Sequence, residues 1–221
     1  PPMLRLRRGE RMRRYFQPGL DDGKTFVFWG RNYNTAGIPG PERSRTWVNQ
    51  PEKMQGSRNG TPHRNGQARF ANVAYFYEPD FTGTDYREGI VGENAKGVVF
   101  SFQTPYVIGA TPPSDKAWGI YDDGCRNGLT LQGKATCPVS VSLDAGRTWS
   151  PPQSFRDGLD LTDLVKGRSH YWLRLGTGAG RLRNTGLVIR TVCQANVAVL
   201  PRLKDNGTTI SYEASGREVL S

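Results

Sequence analysis

Short segments in which apolar and polar residues alternate recur along the chain, each closed by a cluster of Gly, Asn, Asp or Pro. Alternation of period two divides the side chains between the two faces of an extended strand, and the clusters supply the turn geometries that end one. In RFANVAYFY (69–77), Phe70, Asn72, Ala74 and Phe76 fall on one side and Ala71, Val73, Tyr75 and Tyr77 on the other. KTFVFWG (24–30), GVVFSFQ (97–103), NGLTLQG (127–133), CPVSVSL (137–143), HYWLRLG (170–176), GLVIRTVCQANVAVL (186–200) and TTISYEA (208–214) also read as strands. LTDLVKG (161–167) is the one short helical-looking turn. With 27 Gly and 15 Pro in 221 residues, the composition suits many short strands and argues against a helix bundle. The expected fold is all-β, an antiparallel β-sandwich of jelly-roll type. No internal repeat at propeller or solenoid spacing is present.

Two segments fall outside this ladder. Residues 1–20 read as a basic N-terminal arm carrying LRLRRGERMRRY, leaving 21–221 as a single sandwich domain. Residues 31–67 read as one long Gly/Pro/Asn/Arg loop that holds Trp47; loops of that length usually carry function or are disordered. The charge is concentrated there. The net +10 comes almost wholly from residues 1–70, with 14 Lys/Arg against 5 Asp/Glu, whereas residues 71–221 have 16 against 15. A positive field of this kind attracts polyanions such as nucleic acid, anionic lipid or an acidic polysaccharide, or simply keeps the surface soluble. No named nucleic-acid module is visible, so nucleic acid ranks below polysaccharide as a partner. No apolar run reaches membrane-span length, and there is no signal-peptide pattern. The opening Pro-Pro reads as a mature form or as a piece of a larger, multidomain protein.

Cys125, Cys137 and Cys193 are too few for a disulfide scaffold, and their spacing fits no zinc site. A Cys125–Cys137 disulfide is one reading if the protein is exported, and three buried thiols the other. With two histidines, His63 and His170, no metal site is expected, and no cofactor motif is found.

The stretch 142–149, SLDAGRTW, has the chemistry of a tight turn. Asp144 can accept from turn amides, Gly146 can adopt a positive φ, Thr148 returns the chain to strand geometry, and Trp149 is expected to fold back and seal the core. One carboxylate is too few for a calcium loop. With Ser142, Asp144, Gly146, Thr148 and Trp149 in place, the stretch resembles the Asp-box of sialidases and other BNR-repeat propellers. In those proteins the boxes lie on the rim, away from the catalytic pocket, so the resemblance implies a structural hairpin. A propeller needs several boxes, and this chain has one; the sialidase arginine triad and Tyr/Glu pair have no matching motif here. The surrounding DLTDLVKGRSHYWLRLG and RTVCQANVAVLPRLKDNG are similar to β-rich segments of large exported bacterial proteins that carry Asp-boxes, which implies a secreted, periplasmic or cell-surface location.

For catalysis, no nucleophile elbow, zinc-protease motif or phosphate loop is present. The acidic pairs Asp122/Asp123, Glu78/Asp80 and Asp157/Asp160 lack the context of a glycosidase pair. GTGAGRLRNTG (176–186) reads as a hairpin loop. For binding, alternation puts His170, Trp172 and Arg174 on one strand face and Tyr171, Leu173 and Leu175 on the other. Arg190, Gln194 and Asn196 share a face of the next strand. If those strands pair, Trp172, Arg174, Arg190, Gln194 and Asn196 form one polar-aromatic patch, with Trp47, Trp29, Tyr33 and Trp118 as further candidates. The favoured function is a non-catalytic carbohydrate-binding module of an exported bacterial protein, recognising an acidic or neutral polysaccharide. The alternative is a jelly-roll polysaccharide lyase or a sialidase-like glycoside hydrolase acting on an anionic glycan.

Overall fold

The computed structural model describes residues 6–15, 27–29, 46–48, 57–58, 61–62, 70–111, 122–196 and 209–213. The strands are β1 (Glu10–Tyr15), β2 (Val27–Trp29), β3 (Thr46–Val48), β4 (Ser57–Arg58), β5 (Thr61–Pro62), β6 (Phe70–Tyr77), β7 (Ile90–Asn94) and β8 (Gly97–Gln103). They continue with β9 (Leu129–Gln132), β10 (Pro138–Ser142), β11 (Gln153–Ser154), β12 (Leu159–Asp160), β13 (His170–Leu175), β14 (Val188–Asn196) and β15 (Thr209–Glu213). One short helix, α1 (Thr162–Val165), falls on the expected helical turn.

Two antiparallel sheets form an all-β sandwich. One has the order β12-β9-β14-β6-β1-β15 and the other β11-β10-β13-β8-β7. From β6 onward the chain alternates between them: β6 in the first, β7 and β8 in the second, β9 in the first, β10 and β11 in the second, then β12, β13 and β14 in turn. The core is the inward set from both sheets. Tyr77, Leu129, Leu131 and Ile189 meet Phe100, Phe102, Val139, Val141, Tyr171, Leu173 and Leu175. Face-to-face sheets bury alternate residues, which is the pattern seen along β13: Tyr171, Leu173 and Leu175 are buried, and Trp172 and Arg174 are half-exposed. Phe102 stacks on Tyr171 with ring centroids 5.1 Å apart.

The expected domain boundary changes. Part of the supposed arm is β1, which pairs with β6 through Arg11↔Phe76 and Met12↔Tyr75, and with β15 through Arg11↔Glu213. Met12 is buried. Just before β1, the Arg7 guanidinium lies 4.5 Å from the Tyr77 ring centroid and 4.6 Å from that of Phe102. It also donates to the carbonyl of Ser101 at 3.3 Å. The strand was hidden because the outward positions Arg11 and Arg13 dominate the composition, and their guanidinium groups cover the Phe76 ring. Long basic side chains lay their stems on apolar surface and keep the head in solvent.

The segment 176–186, expected as a hairpin loop, instead carries the chain from one sheet to the other. It includes a 3-10 turn at Ala179–Leu182. Its Ala179 and Leu182, with Leu187, are buried in the core, so the connection plugs one end of the sandwich. All three cysteines are free and buried, which is the thiol reading rather than the disulfide one. Within the long loop, Trp47 lies in β3 and pairs with Phe28 of β2; its side chain, residues 1–5 and 16–20, Tyr33 and Trp118 lie outside the described residues. Among the described residues no helix is long and apolar enough to cross a membrane.

Candidate functional site

The outer face of the five-stranded sheet carries an open cleft. In the register of that sheet, Trp172 lies between Ser142 of β10 and Ser101 of β8. Arg174 lies between Ser140 and Val99, and Val99 in turn faces Gly92 of β7. The row Ser140–Arg174–Val99–Gly92 forms the floor of an open cleft of ≈ 630 Å³. Trp149, Asn94, Lys96 and Glu93 complete its walls.

The turn that presents Trp149 joins β10 to β11. Gly146 N–H donates to Ser142 Oγ at 2.8 Å, and Ser142 Oγ–H donates to Asp144 Oδ1 at 2.8 Å. Thr148 gives Asp144 two bonds, from its N–H to Oδ1 at 2.9 Å and from its hydroxyl to Oδ2 at 2.6 Å. These donors, with the Thr148 hydroxyl foremost, hold the Asp144 carboxyl down at about 2. Ala145 (φ 56°) and Gly146 (φ 83°) are both left-handed. A side chain at Gly146 would also collide with Trp172, whose Cζ3 is 2.7 Å from the position of a Cβ.

Both tryptophans lie half-exposed, outside the core. Trp149 does not seal the core. It stands half-exposed on the outer face, with Arg174 Cζ 4.3 Å from its ring centroid, because Val139, Val141 and Phe155 already fill the space beneath. Trp172, expected as the ligand surface, packs beside Gly146 and backs the turn. The stem of Arg174 runs over Gly97, with Cγ 3.8 Å from where a Cβ would be. No group among the described residues accepts a hydrogen bond from its guanidinium.

The patch proposed from alternation is split. β13 pairs with β8 and β10, whereas β14 pairs with β6 and β9. Trp172 and Arg174 thus lie on one sheet, and Arg190, Gln194 and Asn196 on the other. Neighbours in sequence became opposites because the 176–186 connection crosses the sandwich. Arg190 Cζ lies 5.8 Å from the Phe76 ring centroid. Gln194 and Asn196 pair with Asn72 and Phe70, and their side chains lie outside the described residues.

Glu93 is the one carboxylate among the lining residues. It accepts from Tyr86 Oη at 2.7 Å and from Arg87 Nε at 3.1 Å. The Tyr86 hydroxyl, and after it Arg87, holds its carboxyl below the usual range. Glycoside hydrolysis generally needs a second carboxyl about 5–10 Å away and an acid that retains its proton near neutrality; this cleft offers neither among the described residues. His170 is on the same strand face as Arg174 but four residues away, roughly 13 Å along a strand. Among the described residues no group of three His, Cys, Asp or Glu could hold a metal ion.

Sequence reading missed Glu93, Asn94 and Lys96. They lie at the β7–β8 hairpin, where IVGEN shows a burial pattern with no alternation because the strand is at the sheet edge. The Asn-Ala-Lys-Gly turn was the available signal: Lys96 N–H donates to Asn94 Oδ1 at 2.8 Å. Compared with family models, with curated proteins and with solved structures, the chain matches none of them.

Proposed function

We propose that the protein is a non-catalytic carbohydrate-binding module whose ligand lies in the cleft beside Trp149 and Arg174. The observation that carries this reading is the stacking of a half-exposed indole with a guanidinium that has no hydrogen-bond acceptor among the described residues, in an open cleft with Asn94 and Ser140. An indole offers an apolar surface to the C–H face of a sugar, and fixed donors take its oxygens. The single, already engaged carboxylate favours binding over a hydrolase, and described lining residues that include no Tyr or His favour it over a lyase. We read the path from β6 to β14 as a jelly roll, an inference supported by the repeated crossing of the chain between the two sheets. On the same footing we take the Ser142–Trp149 turn as an Asp-box, and a larger exported bacterial protein as the setting.

The test uses Gly92→Trp. Gly92 lines the cleft, and nothing lies within 4 Å of a Cβ there. The new indole should fill the cleft while leaving the core intact. Hits from a glycan array, measured by calorimetry, should lose at least about tenfold in affinity, equivalent to ~1.4 kcal/mol, with an unchanged Tm. Full affinity in a folded Gly92→Trp protein would place the site elsewhere.

A further inference from the structure

We infer that the cleft recognises a carboxylate-bearing sugar, a uronate, and that Arg174 and Lys96 select it. This rests on the reading of the cleft as a glycan site. The charges in the cleft are not evenly committed. Glu93 is engaged by Tyr86 and Arg87. Arg174 and Lys96 have no anionic partner among the described residues. The cleft therefore presents two uncommitted cations and no uncommitted anion among its described lining residues.

Arg174 is also held in advance. Its stem rests over Gly97 and its head against the Trp149 indole. A guanidinium fixed in this way loses little freedom on binding, and its fork of N–H groups matches the two oxygens of a carboxylate. Covering those donors with a neutral sugar would leave some of them desolvated with weak acceptors, whereas a carboxylate pairs them with a full charge. Lys96 is exposed at the β7–β8 turn, so it acts as a point charge at the rim that draws the ligand in. The neighbouring Trp149 supplies the apolar contact common to acidic and neutral sugars, so the acid/neutral discrimination falls to the two cations.

The experiment measures binding of the whole chain to polygalacturonate, alginate and hyaluronan, each beside its carboxyl-reduced counterpart, and to dextran sulfate. The wild type should bind at least one acidic polymer roughly tenfold or more tightly than its reduced form, and the preference should shrink as salt rises. Arg174→Gln should abolish the preference at unchanged Tm. Arg174→Lys should restore only part of it, since charge is kept but the fork is lost. Lys96→Gln should weaken acidic binding alone. A wild type that binds acidic and reduced polymers equally, or an Arg174→Gln protein that keeps the preference, overturns the assignment. So does binding to dextran sulfate with no binding to any uronate polymer. If neutral glycans bind and Gly92→Trp blocks them, the cleft still stands as a glycan site; if no polymer of either kind binds, both readings fall.

Discussion

The phenolic oxygen of Tyr171 and the hydroxyl oxygen of Thr191 lie 2.9 Å apart, and because Tyr171 is on β13 and Thr191 on β14, this hydrogen bond joins the two sheets through the core. Burial pushes the Tyr171 phenol well above its ordinary range, so the hydroxyl stays protonated around neutrality. Tyr171→Phe leaves the Thr191 hydroxyl buried without that partner and should cost about 1–3 kcal/mol. Thr191→Val should cost a similar amount, while the double variant should lose clearly less than the sum, because neither polar group is then stranded. Urea denaturation of the four proteins checks this; strictly additive losses would mean that the bond contributes nothing.

β1 makes the N-terminal segment part of the sandwich. Removing residues 1–15 takes away the strand between β6 and β15, along with Met12 and the Arg7 contact on Tyr77. The truncated protein should be poorly soluble or melt far below the full chain. Met12→Ala, a milder probe, should cost about 2–5 kcal/mol, the usual range for emptying a buried Met site. A truncation that melts like the full chain would show that β1 contributes no stability.

The Ser142–Trp149 turn should weaken in acid. Asp144 is held at about 2 in the folded protein, first by the Thr148 hydroxyl and then by the Thr148 amide, whereas an unfolded Asp titrates near 3.9. A folded value below the unfolded one gives stabilisation that is complete above about pH 5 and is lost as pH falls from about 4 towards 2. Asp144→Asn should lower the Tm at pH 7 and flatten its decline between pH 4 and 2. Parallel Tm-against-pH curves for the two proteins would refute the assignment.

The thiols should be silent. Burial pushes Cys125 and Cys193 up to about 12 and raises Cys137 as well. Only thiolate reacts appreciably with disulfide reagents. Ellman's reagent at pH 8 should therefore find no fast thiol in the native protein and three in denaturant, the number in the chain. A rapid native equivalent, or fewer than three after unfolding without reductant, would contradict this.

Much of the fold was legible because burial in a sandwich follows the two-residue repeat. Along 170–175 the alternation assigned Tyr171, Leu173 and Leu175 inward, and they are buried. The turn at 142–149 was equally legible, since the bonds of Asp144 and Ser142 are local and depend on spacing alone. Pairing was not. Whether β13 lies beside β14 depends on the path of residues 176–186, which Leu182 and Leu187 settle by entering the core. β1 was obscured because a strand whose outward positions are arginine looks like a charged tail until something apolar, here Phe76, is known to lie beside it. The site suffered most: Trp149 and Arg174 are 25 positions apart in the chain, and the β10–β13 ladder is what brings the turn after β10 beside β13.

The pairing of β1 with β15 has a mechanical consequence. The two strands are antiparallel, with Arg11 opposite Glu213 at one end and Tyr15 opposite Thr209 at the other. Residues 10 and 213, where the chain enters and leaves this ladder, therefore lie at the same end. Tension applied between them loads the hydrogen-bonded pairs one after another, as a zipper is opened, instead of shearing all of them at once. The sandwich should then yield in small steps from its β15 edge under a pull that its buried core would otherwise resist.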